Sequence, residues 1–241
     1  VAGAVYVQKR FLDDVPDLPP REQLYAFNRA PGIKFFDRTG QLIATRGPRY
    51  GDRVRLVDLP EHVPLAFLAA EDHRFYQHGA VDPMAIARAL YVNWQAGEVV
   101  QGGSTLSQQI AKSLFLTPDQ TLERKVQEAA LAWRLERMLT KDEVLELYLN
   151  RVFFGANTFG VDGAARTYFG KPASRLSLSE AALLAALPKA PSRLALTNDM
   201  PAALTRSRWV LQRMRDTGWI SEAQYQSALA DTPRLAPTAT S

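Results

Sequence analysis

Apolar residues recur at helical spacing through most of the chain after Pro60, and this pattern predicts a mainly α protein. Helix start signals support the same interpretation. Asp82-Pro83 is an N-cap followed by proline at the first helical position, and Gly97 is a stop signal. The other expected helices cover Glu61–Tyr76, Leu122–Leu139, Ala181–Leu187, Pro201–Arg215 and Ser221–Ala230.

Three further start signals divide the helical region. Ser104, after Gly102-Gly103, is a predicted N-cap. Capping boxes are expected at Thr140–Glu143 and Ser177–Glu180, because each pairs a hydroxyl with a glutamate three positions later.

The pattern changes before residue 60. Ile33–Asp37 and Gln41–Ala44, joined by a turn containing Gly40, predict a β-hairpin, and a short strand is expected at Arg53–Val57. The proline-rich start has no clear period. The domain prediction is a linker or membrane-proximal arm (1–32), a small β element (33–58), a helical domain (59–232), and a disordered tail or linker start (233–241).

Composition narrows the possible chemistry. The 241 residues carry a net charge of +4, which suits an anionic partner such as nucleic acid, lipid headgroups or a phosphorylated substrate. The absence of cysteine excludes disulfides, thiolate metal sites and a cysteine nucleophile. No zinc-type ligand spacing, Walker loop or nucleophile elbow occurs. No run approaches the roughly 20 apolar residues of a membrane span, and Val1–Val7 fits equally the stub of a longer apolar segment or an ordinary N-terminal element.

The segment Glu71–His78 combines an acidic pair with aromatic and imidazole groups. Adjacent side chains point in different directions on a helix. One of Glu71 and Asp72 is therefore expected to face a cleft, while the other orients its neighbour or caps the helix. A carboxylate base near neutral pH needs burial or a second acid. Phe75 and Tyr76 can supply an apolar wall, and His78 has either a hydrogen-bonding or a purely structural role.

The helix predicted from Ser104 has two different faces. Leu106, Ile110 and Leu114 form the expected core side, whereas the opposite side has only one charge. That side fits a ligand-binding face or a solvated surface equally well. The Gly102-Gly103 pair would let a ligand approach the anion-favouring N–H groups of the helix start. The polar side consists of Thr105, Gln108, Gln109 and Lys112.

In the long helix, Arg124 and Lys125 lie four and three residues before Glu128, so either can pair with it. Taken alone, this pattern favours a surface ion pair worth under ~1 kcal/mol. The expected buried stripe consists of Leu122, Val126, Ala129, Ala130 and Trp133.

Five motifs then occur in order: EDHRFYQH, GGSTLSQQIAKS, RKVQE, KDEVLELYLNRVFFG and RTYFGK…LPKAPS. Over about Ile33 to Ala230 the chain resembles the peptidoglycan glycosyltransferases, the lysozyme-like domain of class A penicillin-binding proteins. The hairpin and Met214–Ser221 resemble the bifunctional members, in which a transpeptidase domain normally follows. No Ser-x-x-Lys acylation motif is present.

The resemblance implies that the 4-hydroxyl of an acceptor lipid II attacks the anomeric carbon of the growing glycan strand, with inversion and release of undecaprenyl pyrophosphate. It makes Glu71 the general base and puts Glu128 on the donor side, around the pyrophosphate or a divalent ion such as Mg²⁺ or Mn²⁺. No organic cofactor is implied. The implied substrate-binding residues are Asp72, Phe75, His78, Ser104, Thr105, Gln108, Gln109, Lys112, Arg124, Lys125, Lys189 and Ser192.

Three positions depart from the family pattern: Ala80 replaces a glycine, Ser113 an asparagine, and Ala195-Leu196 an Asn-Pro pair. All three lie beside the implied catalytic groups.

The resemblance also implies a hydrophobic flap that dips into the bilayer, here Val81 to Leu116 with Tyr91, Trp94, Phe115 and Leu116. A core role is expected for Ile110 and Leu114, and 97–102 is expected to be a mobile loop. The implied location is the outer, periplasmic face of the cytoplasmic membrane, with an N-terminal anchor. The implied partners are lipid II, the glycan strand, the membrane surface and cell-wall synthesis proteins, without nucleic acid.

Two alternatives stay open. A lysozyme or lytic transglycosylase would cut the same glycan with a glutamate, but it needs no pyrophosphate clamp, so the Lys112, Arg124 and Lys125 set argues against it. A catalytically silent scaffold would bind lipid II and be indifferent to loss of Glu71.

Overall fold

A computed structural model describes residues 15–98, 102–115 and 121–237. The chain forms two compact units, each built from separated stretches of sequence. The first unit comprises residues up to 27 and 74–147, and the second comprises 28–73 and 148–241. Helices dominate both, which confirms the mainly α prediction.

The helices follow the predicted order closely. They are α1 (His62–Glu71), α2 (Pro83–Ala96), α3 (Leu106–Phe115), α4 (Leu122–Met138), α5 (Lys141–Arg151), α6 (Val161–Phe169), α7 (Leu178–Ala186), α8 (Pro191–Leu194), α9 (Met200–Asp216) and α10 (Glu222–Ala230). The caps at Asp82 and Gly97 are confirmed, as are both capping boxes. Helix α6 was not predicted, because it begins after Gly160 without a side-chain cap and contains Gly163.

The second unit is organised around α7, whose residues Ser179 to Ala186 are all buried. Helices α1 and α9 both pack on α7 and on each other. A helix that is apolar all round requires such neighbours on several sides. The three helices therefore form the core that holds the end of α1 in place.

The N-terminal hairpin is confirmed as β1 (Ile33–Phe36) paired antiparallel with β2 (Leu42–Arg46). The strand predicted at Arg53–Val57 is wrong. The N–H and C=O of Val54 bond to the amide side chain of Asn150 in place of a neighbouring strand, and a 3₁₀ turn follows. The short parallel pair in this unit is instead β3 (Arg49–Tyr50) with β4 (Thr158–Phe159).

In the first unit α3 and α4 pack against each other. The buried side chains of the two helices include Leu106, Ile110, Leu114, Leu131 and Leu135, which confirms the core role expected for Ile110 and Leu114. Leu24, from the proline-rich N-terminal region, is also fully buried.

Gly103 has a packing role, whereas the ligand approach predicted for the Gly102-Gly103 pair stays a prediction. A Cβ on Gly103 would lie 3.0 Å from the Cα of Ile86, so the residue permits close contact with α2. Among the described residues, none of the helices has the length and apolar character needed to cross a bilayer.

Two glycines in the second unit allow a matched test of how closely the backbone packs around a glycine. Gly155 and Gly218 have φ values of +79° and +75°, but a Cβ on Gly155 would lie 2.4 Å from the carbonyl oxygen of Pro191, whereas nothing lies within 4 Å at Gly218. We expect Gly218→Ala to lower the free energy of unfolding by roughly 1–2 kcal/mol through backbone strain alone. Gly155→Ala should lose a further ~1–3 kcal/mol through the clash at α8.

Urea denaturation of both variants measures the difference. Equal losses would contradict the close approach of Gly155 to Pro191.

Candidate active site

Glu71 is the last residue of α1, and the helix ends because Asp72 adopts a non-helical backbone with φ −157° and ψ 70°. The Asp72 N–H still bonds the carbonyl of Leu68, so the turn is anchored. The helix predicted over Glu61–Tyr76 therefore ends early, at Glu71, and Asp72 lies just beyond it. Both side chains are partly exposed.

One buried and one partly buried side chain, neither of them predicted from the sequence, are coupled to Glu71. Burial raises the pKa of the Tyr148 hydroxyl well above its ordinary value, and the negative charge of Glu71 raises it further. Burial lowers the pKa of the Arg206 guanidinium, while Glu71 acts in the opposite direction and Arg213 adds to the lowering. Glu71 therefore has a buried phenol and a partly buried cation within electrostatic reach.

Helix α9 supplies Arg206 and Arg213 from one face, because residues seven apart lie two turns apart on the same side. Arg213 donates to the carbonyl of Ala69 (2.9 Å) and to Nδ1 of His73 (2.8 Å), so it holds the C-terminal end of α1. Both guanidiniums lie over the ring of Trp209. The seven-residue spacing of these two arginines within a predicted helix was the sequence signal that could have revealed this support.

Phe75 is only 1% exposed and carries the ammonium of Lys141 over its ring at 4.4 Å. The ring is therefore packed in the core, and its part in substrate binding stays a prediction. Tyr76 is about half-exposed and donates to Asp142 (2.8 Å). Partial burial raises the pKa of its hydroxyl above the ordinary value, and Asp142 adds to the effect. His78 Nδ1 donates to the carbonyl of Gly79, and its ring meets Phe75 edge-on.

The start of α3 differs from the prediction. Thr105, not Ser104, is the capping residue: its Oγ1 accepts from the N–H of Gln108, whose side-chain oxygen accepts from the N–H of Thr105. Thr105 also donates to the carbonyl of Ala80 at 2.6 Å. Thr105 and Gln108 are consequently buried, so the predicted open polar face is wrong for these two residues. Gln109 is partly exposed and Lys112 is exposed.

Glu128 is 2% exposed, and its Oε2 accepts from the ammonium of Lys125 at 2.6 Å. Lys125 also reaches the Ser104 hydroxyl at 3.4 Å. Taken alone, the sequence pattern predicted a surface ion pair. That prediction is wrong for Glu128, whose carboxylate is buried, although its partner Lys125 is half-exposed.

The buried stripe predicted for α4 is rotated. Trp133 is 56% exposed, and Arg137 stacks on its ring at 4.7 Å. Leu122 of the predicted stripe lies outside the described side chains, and among the others of this helix the buried positions are Gln127, Glu128, Leu131, Ala132 and Leu135. A spacing of three and four residues also fits this set, which is why periodicity alone did not distinguish it from the predicted one.

The remaining predicted site residues are accessible. Arg124 is partly exposed on α4, while Lys189 and Ser192 are exposed around the start of α8. The three departures from the family pattern are accommodated locally: Ser113 donates to the carbonyl of Ile110, and Ala80 and Ala195-Leu196 are buried.

Helix α2 presents a mostly exposed surface, with Ala89 as its buried residue. Its large exposed apolar side chains are Met84, Ile86, Leu90, Tyr91 and Trp94. Phe115, also predicted in the flap, packs against Phe27, with the ring centroids 5.4 Å apart. Leu116 and positions 99–101 of the predicted mobile loop lie outside the described residues.

Within the described ranges, histidine, aspartate and glutamate form no cluster of three or more that could hold a metal ion. Among the predicted site residues Glu128 offers a buried carboxylate, and Lys125 already bonds one of its oxygens. The described residues thus do not make a preformed divalent-cation site.

A sequence model of the Transglycosylase family matches residues 39–215. The chain is 46% identical to penicillin-binding protein 1A of Aquifex aeolicus over 213 residues (88% of this chain and 29% of the relative). It is 42% identical to penicillin-binding protein 1A of Escherichia coli (93% and 26%). The chain therefore spans little more than a quarter of the length of these relatives.

The fold has a solved counterpart. The crystal structure of penicillin-binding protein 1A from Haemophilus influenzae aligns with a TM-score of 0.52 and 27% identity, covering 86% of this chain and 21% of that one.

The pair at Glu128 can be tested by substitution. Lys125→Met should lower the free energy of unfolding by about 1–3 kcal/mol, because a buried carboxylate loses its charge-assisted donor. Arg137→Met, on the exposed side of the same helix, should change it by less than ~0.5 kcal/mol. Equal effects in thermal unfolding would show that Glu128 does not depend on Lys125.

Proposed function

Because the chain belongs to the Transglycosylase family, the peptidoglycan glycosyltransferases, we propose that it polymerises lipid II into β-1,4-linked glycan strands. The family match over 39–215 carries this proposal, and the surroundings of Glu71 support it in chemical terms.

In the proposed reaction Glu71 takes the proton from the 4-hydroxyl of the acceptor as that oxygen bonds to the anomeric carbon of the donor. The bond from that carbon to the pyrophosphate breaks, the configuration inverts, and undecaprenyl pyrophosphate leaves with its electron pair. The partial exposure of Glu71 at a helix end suits a base that must reach a substrate hydroxyl.

The departing pyrophosphate needs counter-charges where negative charge grows in the transition state. We assign this role to Lys112, Arg124 and Lys125, of which Lys112 is exposed at the last turn of α3. Glu128 orients Lys125 through their 2.6 Å bond, which gives the buried acid a positioning role on the donor side.

The other assignments are of two kinds. Thr105 and Gln108 act indirectly, by fixing the start of α3 next to Ser104, and Phe75 supports the segment from its core side. The residues proposed to meet sugar or phosphate oxygens directly are Asp72, His78, Ser104, Gln109, Lys189 and Ser192.

A divalent cation, if it takes part, would arrive with the pyrophosphate oxygens, because the described residues form no preformed cluster.

We also propose that the protein acts at the periplasmic face of the cytoplasmic membrane, where lipid II and partner proteins of cell-wall synthesis are present. Helix α2 supports membrane contact: Tyr91 and Trp94 are exposed side by side, and aromatic side chains favour the interface. The family match favours synthesis over glycan cleavage or a silent scaffold.

Glu71→Gln should lower lipid II polymerisation by roughly 10²–10⁴-fold while lipid II binding persists, because only proton transfer requires the carboxylate. Glu61→Gln, at the exposed start of the same helix, is the matched control and should polymerise normally. Gel analysis of labelled glycan strands measures both.

Turnover by Glu71→Gln near the wild-type rate would remove Glu71 as the base. Shortening of isolated sacculi by the wild-type chain, without strand growth from lipid II, would indicate the lytic alternative.

Trp94→Ser should weaken binding to phosphatidylglycerol vesicles by about tenfold, since the loss of one buried indole removes ~1.4 kcal/mol or more. Trp133→Ser is the control, because Trp133 is also exposed but has the Arg137 guanidinium stacked on it. Vesicle sedimentation gives both partition constants. Equal losses, or none, would count against a membrane role for α2.

A further inference from the structure

Tyr148 is a buried residue whose hydroxyl makes no hydrogen bond within the described part of the chain. Its side chain is 3% exposed, and its hydroxyl is completely shielded without a hydrogen-bond partner among the described residues. Buried hydroxyls nearly always have a partner, and an unbonded one retains the full penalty of leaving water. The second unit contains a direct contrast in Tyr168, which is equally buried and donates to the carbonyl of Phe154 at 2.9 Å.

The packing of Tyr148 places it beside Glu71. Its ring meets Phe67 edge-on, with centroids 6.3 Å apart at 69°. Phe67 and Glu71 are both on α1 and are four residues apart, so they are neighbours on one helix face. Helical side chains lean toward the N-terminus, which directs the Glu71 side chain over the turn that carries Phe67. The phenol and the carboxylate therefore share one face of α1.

The protonation state of the phenol is also defined. Burial and the charge of Glu71 raise its pKa well above the ordinary value, so the hydroxyl keeps its proton throughout the physiological range. A protonated phenol next to a carboxylate is a hydrogen-bond donor to it. Arg206 is also coupled to Glu71, and its guanidinium lies 3.7 Å over the ring of Trp209.

We propose that Tyr148 is a positioning residue for the general base: its hydroxyl donates to one oxygen of Glu71 in the reacting enzyme and leaves the other to accept the acceptor proton. The inference rests on the proposed function, since it assigns a partner to the base of that reaction. The bond holds the carboxylate in one rotamer, which matters because small misplacements of a catalytic group slow a reaction strongly.

A structural role for the hydroxyl predicts different behaviour. If the group stabilised the fold, its removal would lower stability, as expected for Tyr168. An unbonded hydroxyl should instead be removed without loss, because the Phe67 contact is made by the ring.

The test compares Tyr148→Phe with Tyr168→Phe in the wild-type background, using lipid II polymerisation and thermal unfolding. For Tyr148→Phe we expect kcat to fall by about tenfold or more, KM to stay within twofold of the wild type, and Tm to remain equal or rise. For Tyr168→Phe we expect a lower Tm with kcat unchanged at a temperature where the protein is folded.

Wild-type kcat in Tyr148→Phe would overturn the proposal. A lower Tm of the kind expected for Tyr168→Phe, with kcat restored on cooling, would assign the hydroxyl a structural role and overturn it equally. Failure of the proposed function is a distinguishable result, because the wild-type chain would then not polymerise lipid II at all.

Discussion

The close packing of α1 and α9 on the buried helix α7 is the constraint from which the proposed chemistry follows. It fixes the end of α1, and with it the position of Glu71. Arg213 strengthens the same junction by bonding the carbonyl of Ala69 and the ring of His73. A general base gains from such preorganisation, since a fixed carboxylate does not have to be ordered again in each catalytic cycle.

The two glutamates proposed to serve the reaction have different electrostatic environments. Glu71 is partly exposed and is coupled to a buried phenol and an arginine. Glu128 is nearly fully buried and shares a hydrogen bond with Lys125. Different environments separate the functions of chemically similar groups. The accessible carboxylate is suited to accepting a proton, and the buried one to orienting a cation.

The sequence predicted the helices well because their caps are local: Asp82, Thr140, Ser177 and Ser221 each bond backbone groups within three residues. It failed where tertiary contacts decide. The strand expected at Arg53–Val57 is absent because the Asn150 amide, distant in sequence, bonds the backbone of Val54. The α4 stripe was misplaced because two helical faces fit the same apolar spacing, and only packing with α3 distinguishes them.

In the candidate site, too, the sequence predicted what local motifs decide and missed what tertiary contacts decide. The motifs alone were enough to propose Glu71, Glu128 and Lys125, whereas the burial of Thr105 and Gln108 depends on a bond to the carbonyl of Ala80, 25 residues away from Thr105 in the sequence. The most direct test of the account is a crystal structure with a lipid II analogue bound as acceptor. One oxygen of Glu71 should lie within hydrogen-bond distance of the acceptor 4-hydroxyl, with Tyr148 on the other. An acceptor hydroxyl bound by a different side chain, with Glu71 turned away, would contradict it.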